Sequence, residues 1–531
     1  MSLISVEFLF FCAFVLLLYY LVKDRYRWIV LLLSSLVFYC LAGPKYVLYL
    51  LFSATSVYTG ARLIDRMNDT RDAYLSEHKD GLNREEKKAY KASVKKKQKR
   101  ILFLCVLANV LVLFTLKYLD FGIAYFNYYR LLITGNTNLV PQPGLILPLG
   151  ISFYTFQSLG YVIDVYYGKV KSERNYFRFL LFISFFPQVV QGPISRFSAL
   201  QQELFSEKRF EMERITSGLY RILWGLFKKL IIADRLSSYV ARSAAFRMDY
   251  KGPYLLLCIF FYAFQIYGDF SGGIDVAIGV AELFGIRLTE NFERPFFSKS
   301  IAEYWRRWHI TLGTWFRDYI FYPLSVNKGI LNLGKWCKKH LGEAVGKRVP
   351  VYLPMIAVWA LTGMWHGSES KFIVWGLLNC TFLILGTEFE PLSKRIMEKL
   401  SLREDMLIVK LYRIFKTFWL MAFLRVFDFV KTPKDGFYLM ADVFKRWDSF
   451  DLNEIYTTLL LPKEELIVAL IAIAVLAAVS TIQRKGSIRA KILTKNAWIQ
   501  YAGLIGLAAV VLIFGSYGLG YDAQSFIYMK F

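Results

Sequence analysis

Long apolar stretches alternate with short polar ones along this chain of 531 residues. Nearly charge-free runs cover residues 3–22, 28–42, 46–60, 101–118, 253–267, 464–481 and 497–515. A helix needs about 20 apolar residues to cross the hydrocarbon core of a bilayer, and somewhat fewer where neighbouring helices bury its ends. The pattern therefore predicts an all-α polytopic membrane protein of about eleven transmembrane helices. Shorter segments interrupted by glycine and proline predict additional re-entrant or interfacial helices.

The most hydrophilic stretch, residues 61–100, is rich in lysine and arginine. Cytoplasmic loops of membrane proteins carry an excess of these residues, so we expect a basic cytoplasmic loop here. The predicted organisation is N-terminal transmembrane helices at 1–60, this loop at 61–100, and a membrane domain with C-terminal helices at 101–531. The basic segments 23–27 and 483–491 belong on the same side, which places both termini outside the cytoplasm. The first span follows no basic n-region and precedes no cleavage pattern, so we expect it to be retained.

Composition limits the partners that this protein can bind. Hydrophobic residues make up 56% of the chain and charged residues 20%. The net charge of +25 is explained mainly by basic cytoplasmic loops, although attraction of an anionic donor such as a coenzyme A thioester would also favour it. Nucleic acid is not an expected partner, because the basic residues lie in short loops between spans. The six cysteines show no metal-ligand spacing, so we predict neither a metal site nor a tightly bound cofactor.

Two of the four histidines lie in unusual surroundings. His78 and His340 fall in charged segments and are expected to be solvated. His309 and His366 lie in aromatic, membrane-associated sequence, where an ionisable side chain is a functional candidate and a hydrogen-bonded core histidine is the alternative. The basic loop at 325–350 is expected to be cytoplasmic, so His366, about 22 Å further along a helix, would lie in the outer half of the membrane. His309 would approach from the inner side, so that the two histidines bracket the membrane.

Several short motifs follow one another in a specific order along the second half of the chain. They are FFPQVVQGPISRF at 185–197, DFSG at 269–272, NFERPF at 291–296, WRRWH at 305–309, WFRDY at 315–319, MWHG at 364–367 and YDAQSFIYMKF at 521–531. This order resembles the membrane-bound O-acyltransferase (MBOAT) family, in particular its alginate O-acetyltransferase branch. The resemblance begins near residue 145 and is strongest between 260 and 380. It implies the MBOAT fold, with helices around a central tunnel, and makes 101–531 the catalytic membrane domain.

The resemblance implies catalytic roles for both membrane-associated histidines. His366 matches the family's catalytic histidine, and a neutral imidazole can remove the proton of a hydroxyl as it attacks an acyl carbonyl. His309 matches the second functional histidine and would orient the acyl donor or relay a proton. The alternative for His309 is packing, since residues Trp305, Trp308, Leu312 and Trp315 recur at helical spacing as an apolar stripe.

Five further residues are predicted to bind substrate: Asp269, Trp305, Arg306, Arg307 and Trp365. Arg306 and Arg307 would clamp the phosphates of coenzyme A or another carrier, or would extend to lipid headgroups, and the sequence favours neither reading. Asp269 is expected to line a cavity or buttress the site, because the glycines around it indicate a break in the helix at membrane depth.

A second break of this kind is expected at Gly192, Pro193 and Arg196.

The predicted activity is transfer of an acetyl group from a cytoplasmic donor, acetyl-CoA, across the membrane to the hydroxyls of an extracytoplasmic polysaccharide. Transfer would be direct or would use a separate extracytoplasmic acetyltransferase or esterase-like partner, since this sequence contains no such motif. The expected location is the bacterial cytoplasmic membrane. Three alternatives remain open: D-alanyl transfer towards teichoic acid, a transporter or flippase without chemistry, and a catalytically inactive scaffold.

Overall fold

The computed structural model describes residues 5–135, 137–245 and 249–517. Within these ranges the regular structure is helical, and the sole β-type pairing is an isolated bridge between Phe292 and Trp308. This confirms the all-α class. Eight helices of the described residues are long and apolar enough to cross a membrane, and Val6–Leu21 is a shorter apolar helix. The chain is therefore a multi-pass membrane protein, but the count of about eleven spans is not confirmed.

The chain folds as two compact units, the first comprising Met1–Glu211 with Val280–Leu288 and the second Met212–Gly279 with Thr289–Phe531. The helices of the first unit are α1 Val6–Leu21, α2 Arg27–Ala42, α3 Val47–Glu77, α4 Arg84–Thr134, α5 Ile151–Tyr166, α6 Tyr176–Ser184, α7 Phe186–Val189 and α8 Phe197–Phe205. The C-terminal run at 521–531, which contributed to the family resemblance, lies outside the described residues. Both ends of the chain also lie outside them, so the side of the membrane on which each end lies stays a prediction.

The second unit holds most of the motifs. Its helices are α9 Met212–Leu226, α10 Asp234–Ala245, α11 Pro253–Leu283, α12 Ile301–Arg307, α13 Ile310–Phe316, α14 Tyr322–Ser325, α15 Lys328–Leu341, α16 Glu343–His366, α17 Ser370–Glu388, α18 Glu390–Lys399, α19 Leu407–Leu424, α20 Val426–Phe429, α21 Pro433–Asp442, α22 Leu452–Tyr456, α23 Lys463–Ile482, α24 Ile488–Leu493 and α25 Ala497–Phe514. The last four residues of α11 belong to the first unit. Two π-helical turns, Phe227–Ala233 and Arg317–Phe321, join α9 to α10 and α13 to α14. The eight apolar spans are α2, α3, α4, α11, α16, α17, α23 and α25.

The basic segment 61–100 is helical over most of its length. It consists of the end of α3 and the start of α4. α4 begins with a capping box, in which the Asn83 side chain accepts from the Glu86 N–H while the Glu86 carboxylate accepts from the Asn83 N–H. The segment is therefore a hairpin of two extended helices and not an irregular loop. Its cytoplasmic location and the domain boundaries beside it stay predictions.

α11 passes through the segment YGDFSGG without interruption, so the predicted break at its glycines is wrong. These glycines instead allow close backbone packing. A Cβ added to Gly272 would lie 2.7 Å from the carbonyl oxygen of Gly225 on α9, and one added to Gly268 would lie 2.7 Å from that of Lys228. Small residues let membrane helices approach in this way, and here they bring a π-helical turn against α11.

The second predicted break is confirmed. α7 ends at Val189 and α8 begins at Phe197, and the residues between them, which include Gly192, Pro193 and Arg196, are not helical. The guanidinium of the half-buried Arg196 lies 3.7 Å from the buried carboxylate of Asp164, so an ion pair connects this stretch to α5.

Candidate active site

The WRRWH motif is not one continuous helix. α12 ends at Arg307 and α13 begins at Ile310, and between them His309 adopts a left-handed backbone conformation with φ 48° and ψ 52°. The predicted helical stripe from Trp305 to Trp315 is therefore wrong as a single helix. Residues other than glycine adopt this backbone conformation at an energetic cost, and residues that do so cluster at functional sites. The backbone itself thus marks His309 as a site candidate.

The left-handed turn is held by the NFERPF motif. The Glu293 N–H donates to the carbonyl of Arg307 at 2.9 Å, and the Ile310 N–H donates to the carbonyl of Asn291 at 3.0 Å. The isolated bridge noted above lies between these two hydrogen bonds. The two motifs therefore pair as short antiparallel segments, which fixes the position of His309 independently of any helix.

Asn291 also fixes the side chain of His309. Its Oδ1 atom accepts from the Thr311 N–H at 3.0 Å and from the Thr311 hydroxyl at 2.9 Å, and lies 3.3 Å from Nδ1 of His309. A backbone N–H can only donate, so Oδ1 must face this cluster, and Nδ1 of His309 must then carry the ring proton. The other ring nitrogen, Nε2, is thereby left as the proton-accepting atom. The role of Asn291 was not predicted, because it depends on a contact with a side chain 18 positions further along the chain.

His309 is buried and lies outside the eight apolar spans. Burial lowers the pKa of His309 below its usual value, and the nearby positive charge of Arg425 lowers it further. Both effects keep the imidazole neutral, which is the form that can accept a proton.

His366 is the last residue of α16 and is also buried. The ring centroid of His366 lies 4.9 Å from that of Trp365 and 4.7 Å from that of Trp375. The ring of His309 lies 5.8 Å from the same Trp365. Both imidazoles thus contact one indole, so the prediction that they bracket the membrane is wrong. They belong to one site.

A cluster of indoles surrounds this pair. The Trp305 ring lies 4.9 Å from Trp359 and 5.7 Å from Trp375. Trp365, predicted to bind substrate, lies between the two histidines, and Trp305 lies further out in the cluster. Arg425 was missed by sequence reasoning, because the chain between it and the WRRWH motif carries nothing that links the two.

Asp269 is engaged in a buried ion pair. Its carboxylate lies 2.5 Å from Nζ of Lys229, which is also 2.8 Å from the carboxylate of Asp234, and all three side chains are almost fully buried. This geometry fits the buttressing alternative for Asp269, whose contact with substrate stays a prediction.

A second buried group adjoins this triad. Lys228 Nζ lies 2.6 Å from Asp275 and 2.8 Å from the hydroxyl of Ser271, and Arg221 lies 2.7 Å from Asp275. Two adjacent lysines in the apolar run WGLFKKLIIA are the sequence signal for this network, which was not predicted.

The two arginines of WRRWH differ in exposure. Arg306 is exposed, whereas Arg307 is half-buried and pairs with Glu303 at 2.6 Å, one turn earlier on α12. Phosphate binding and contact with lipid headgroups both stay predictions for these two arginines.

Comparison with known proteins shows the family to which this chain belongs. A sequence model described as MBOAT, membrane-bound O-acyltransferase family, matches residues 171–430, which include every site residue described above. The chain is 33% identical over 381 residues to the probable alginate O-acetylase AlgI of Pseudomonas aeruginosa, covering 71% of this chain and 64% of that protein. The chain belongs to the membrane-bound O-acyltransferase family. Within this family it falls in the alginate O-acetylase branch, as the order of motifs predicted.

Other members of the family are similar over shorter regions. The peptidoglycan O-acetyltransferase of Helicobacter pylori is 33% identical, covering 52% of this chain and 53% of that protein. The teichoic acid D-alanyltransferase of Bacillus subtilis is 30% identical, covering 48% of this chain and 62% of that protein. This membrane-bound O-acyltransferase spans less than two thirds of the length of its Pseudomonas aeruginosa relative.

Proposed function

We propose that this protein is an O-acyltransferase that moves an acetyl group from cytoplasmic acetyl-CoA to hydroxyls of a polysaccharide outside the membrane. The observation that carries the proposal is the contact of His309 and His366 with one indole, inside the segment that matches the family. Relatives named for the acetylation of alginate and of peptidoglycan support acetyl as the acyl group and a cell-surface polysaccharide as the acceptor.

The proposed reaction needs one proton acceptor and no redox partner. The acceptor hydroxyl oxygen attacks the thioester carbonyl while His366 removes its proton. The C–S bond then breaks, and the proton passes from His366 to the departing thiolate, so the products are an ester and free coenzyme A thiol. The contact of both histidines with Trp365 supports a single place in the protein where donor and acceptor meet.

The tautomer of His309 restricts its part in this reaction. With Nδ1 donating to Asn291, Nε2 can accept a hydrogen bond or a proton but cannot donate one. We therefore propose that His309 accepts a hydrogen bond from a hydroxyl or thiol and so orients that group for the reaction. It does not stabilise the oxyanion of the tetrahedral intermediate, because that would need a donor. A separate extracytoplasmic partner that relays the acetyl group to its final acceptor is compatible with the same chemistry.

D-Alanyl transfer is the second candidate, favoured by the similarity to the Bacillus subtilis teichoic acid D-alanyltransferase. It would use the same ester-forming step with a different acyl group. The two candidates therefore differ in the product and not in the proposed roles of the histidines.

The test compares cells carrying the wild-type protein, His366→Ala, His309→Ala or His340→Ala at equal membrane abundance. Both acetyl and D-alanyl esters of the cell-surface polymers are measured. Removing a general base lowers the reaction rate by about 10²–10⁴-fold. We therefore expect the acetyl ester content to fall by at least about 100-fold in His366→Ala. The control, His340→Ala, changes an exposed histidine and should leave the ester content unchanged.

Loss of D-alanyl ester instead of acetyl ester would identify the second candidate. If neither ester depends on His366, the assignment of His366 as the base is wrong, and the transporter or flippase alternative is favoured instead.

A further inference from the structure

Arg425 is a buried cation at a helix junction. It follows the last residue of α19, directly precedes α20, and is 2% exposed. An arginine cannot lose its charge in a protein, so a buried one must be compensated by its surroundings. The groups that compensate its charge are therefore the contacts that determine its role.

Three indoles and one carboxylate surround the guanidinium. Its central carbon lies 4.5 Å from the ring centroid of Trp308 and 5.4 Å from those of Trp305 and Trp375. Its Nη1 atom donates to a carboxylate oxygen of Asp428 at 3.2 Å. A guanidinium over an aromatic face within about 6 Å is attracted by the ring, and here three faces converge on one cation.

The three indoles connect Arg425 to both histidines. Trp308 immediately precedes His309 and belongs to the turn that holds it. The ring of Trp375, on α17, contacts the ring of His366. One side chain therefore contacts an indole next to each histidine, although the two histidines belong to different parts of the chain.

We propose that Arg425 is a positioning residue, whose guanidinium holds Trp308 and Trp375 so that His309 and His366 face one reaction centre. This inference rests on the proposed function, since it assigns Arg425 to the geometry of the same site. The planar cation acts through the indoles and need not touch substrate.

The charge of Arg425 has a second effect. A fixed positive charge close to His309 opposes protonation of the imidazole, in the same direction as burial. Other charged and titratable groups lie near this turn. On its own two segments they are Glu293, Glu303 and Arg307. On the elements packed against it they include Asp428, Tyr304, Tyr267, His366 and Lys371. The charge of Arg425 acts on His309. Removal of that charge should make His309 easier to protonate, so the acid limb of the activity profile should move to higher pH.

The experiment uses the full-length protein in membranes and compares Arg425→Met, Arg425→Lys and Arg413→Met. Arg413 is on α19 as well, twelve residues before Arg425, or about 18 Å along a helix. It pairs with Glu404 at a distance of 3.1 Å, so it controls for loss of an arginine from this helix. The donor KM, kcat and the pH profile of ester formation are measured at matched abundance of monodisperse protein.

Misplacement of catalytic groups by about 1 Å can lower the reaction rate by about 10²-fold. We therefore expect kcat to fall by about 100-fold in Arg425→Met, with a donor KM near that of wild type. Its acid limb should lie at higher pH. Arg425→Lys keeps the charge but not the planar stacking, so it should lose activity without moving the acid limb. Arg413→Met should stay within about twofold of wild type, because an ion pair with an exposed carboxylate contributes little.

Two results would overturn the inference. In one, Arg425→Met keeps activity within twofold of Arg413→Met. In the other, both Arg425 variants lose activity equally with unmoved acid limbs, which would mean that Arg425 only fills space. Absence of His366-dependent ester formation in wild type and Arg413→Met would instead refute the proposed function, so the two failures are distinguishable.

Discussion

Nδ1 of His309 lies 3.3 Å from Oδ1 of Asn291, an oxygen that also accepts two hydrogen bonds from Thr311. This contact joins the NFERPF and WRRWH motifs and determines which ring nitrogen of His309 can accept a proton. It explains why two motifs separated by α12 occur together: one supplies the histidine and the other fixes its tautomer.

Replacing Asn291 with alanine should lower both activity and stability. The change leaves the buried Thr311 N–H and hydroxyl without their acceptor, which costs about 1–3 kcal/mol, and frees the His309 ring to rotate. Asn291→Asp keeps an acceptor oxygen and should retain more of the folded protein. Ester formation and the melting temperature of the solubilised protein check this, with Asn453→Ala, at an exposed position, as control. A wild-type rate in Asn291→Ala would show that the tautomer does not matter.

Replacing His309 with glycine should separate the backbone from the imidazole. Glycine adopts the left-handed conformation freely, so His309→Gly should fold at least as well as wild type but lose ester formation. His309→Val should also reduce stability, by about 1–2 kcal/mol, because a β-branched residue resists this conformation. Ser401, at φ 52°, is the matched control, and Ser401→Gly should keep full activity. Equal stability of the glycine and valine variants would argue against backbone strain at this position.

Replacing Lys229 with methionine should destabilise the second unit. Lys229 compensates the buried carboxylates of Asp269 and Asp234, and breaking a buried ion pair by removing one partner costs about 3–5 kcal/mol. The melting temperature should fall clearly below that of Lys347→Met, which removes a lysine from an exposed pair with Glu343 at 3.1 Å. If the two variants have the same melting temperature, the ion pairs of Lys229 contribute nothing to stability. A role of Asp269 in substrate binding would then be favoured.

Replacing Gly272 with valine should disrupt the packing of α9 on α11. The added Cβ would overlap the carbonyl of Gly225, and overpacking of this kind costs about 1–3 kcal/mol or more. Gly506→Val is the control, because a Cβ there meets no atom of the described residues within 4 Å. Reduced membrane abundance of Gly272→Val alone would support the close contact, whereas equal abundance would mean that the helices can separate without cost.

Local features of the sequence were sufficient for some of these conclusions. The apolar runs predicted an all-α membrane protein, and the order of motifs identified the family and both histidines. The glycines of YGDFSGG were misread as a break, because a glycine that permits a turn and one that permits close packing look alike until the opposite helix is known. The Trp305–Trp315 stripe was misread for a related reason, since helical spacing does not reveal a reversal at His309.

The sequence alone determined the class of this protein, its family and the candidate histidines, because apolar length and motif order are properties of contiguous residues. Only the tertiary structure decided that His309 and His366 share one indole, that Asn291 fixes a tautomer, and that Arg425 contacts the indoles beside both histidines. These relationships join side chains from distant parts of the chain. Contacts of that kind depend on how the helices pack and where they break, which no local pattern records.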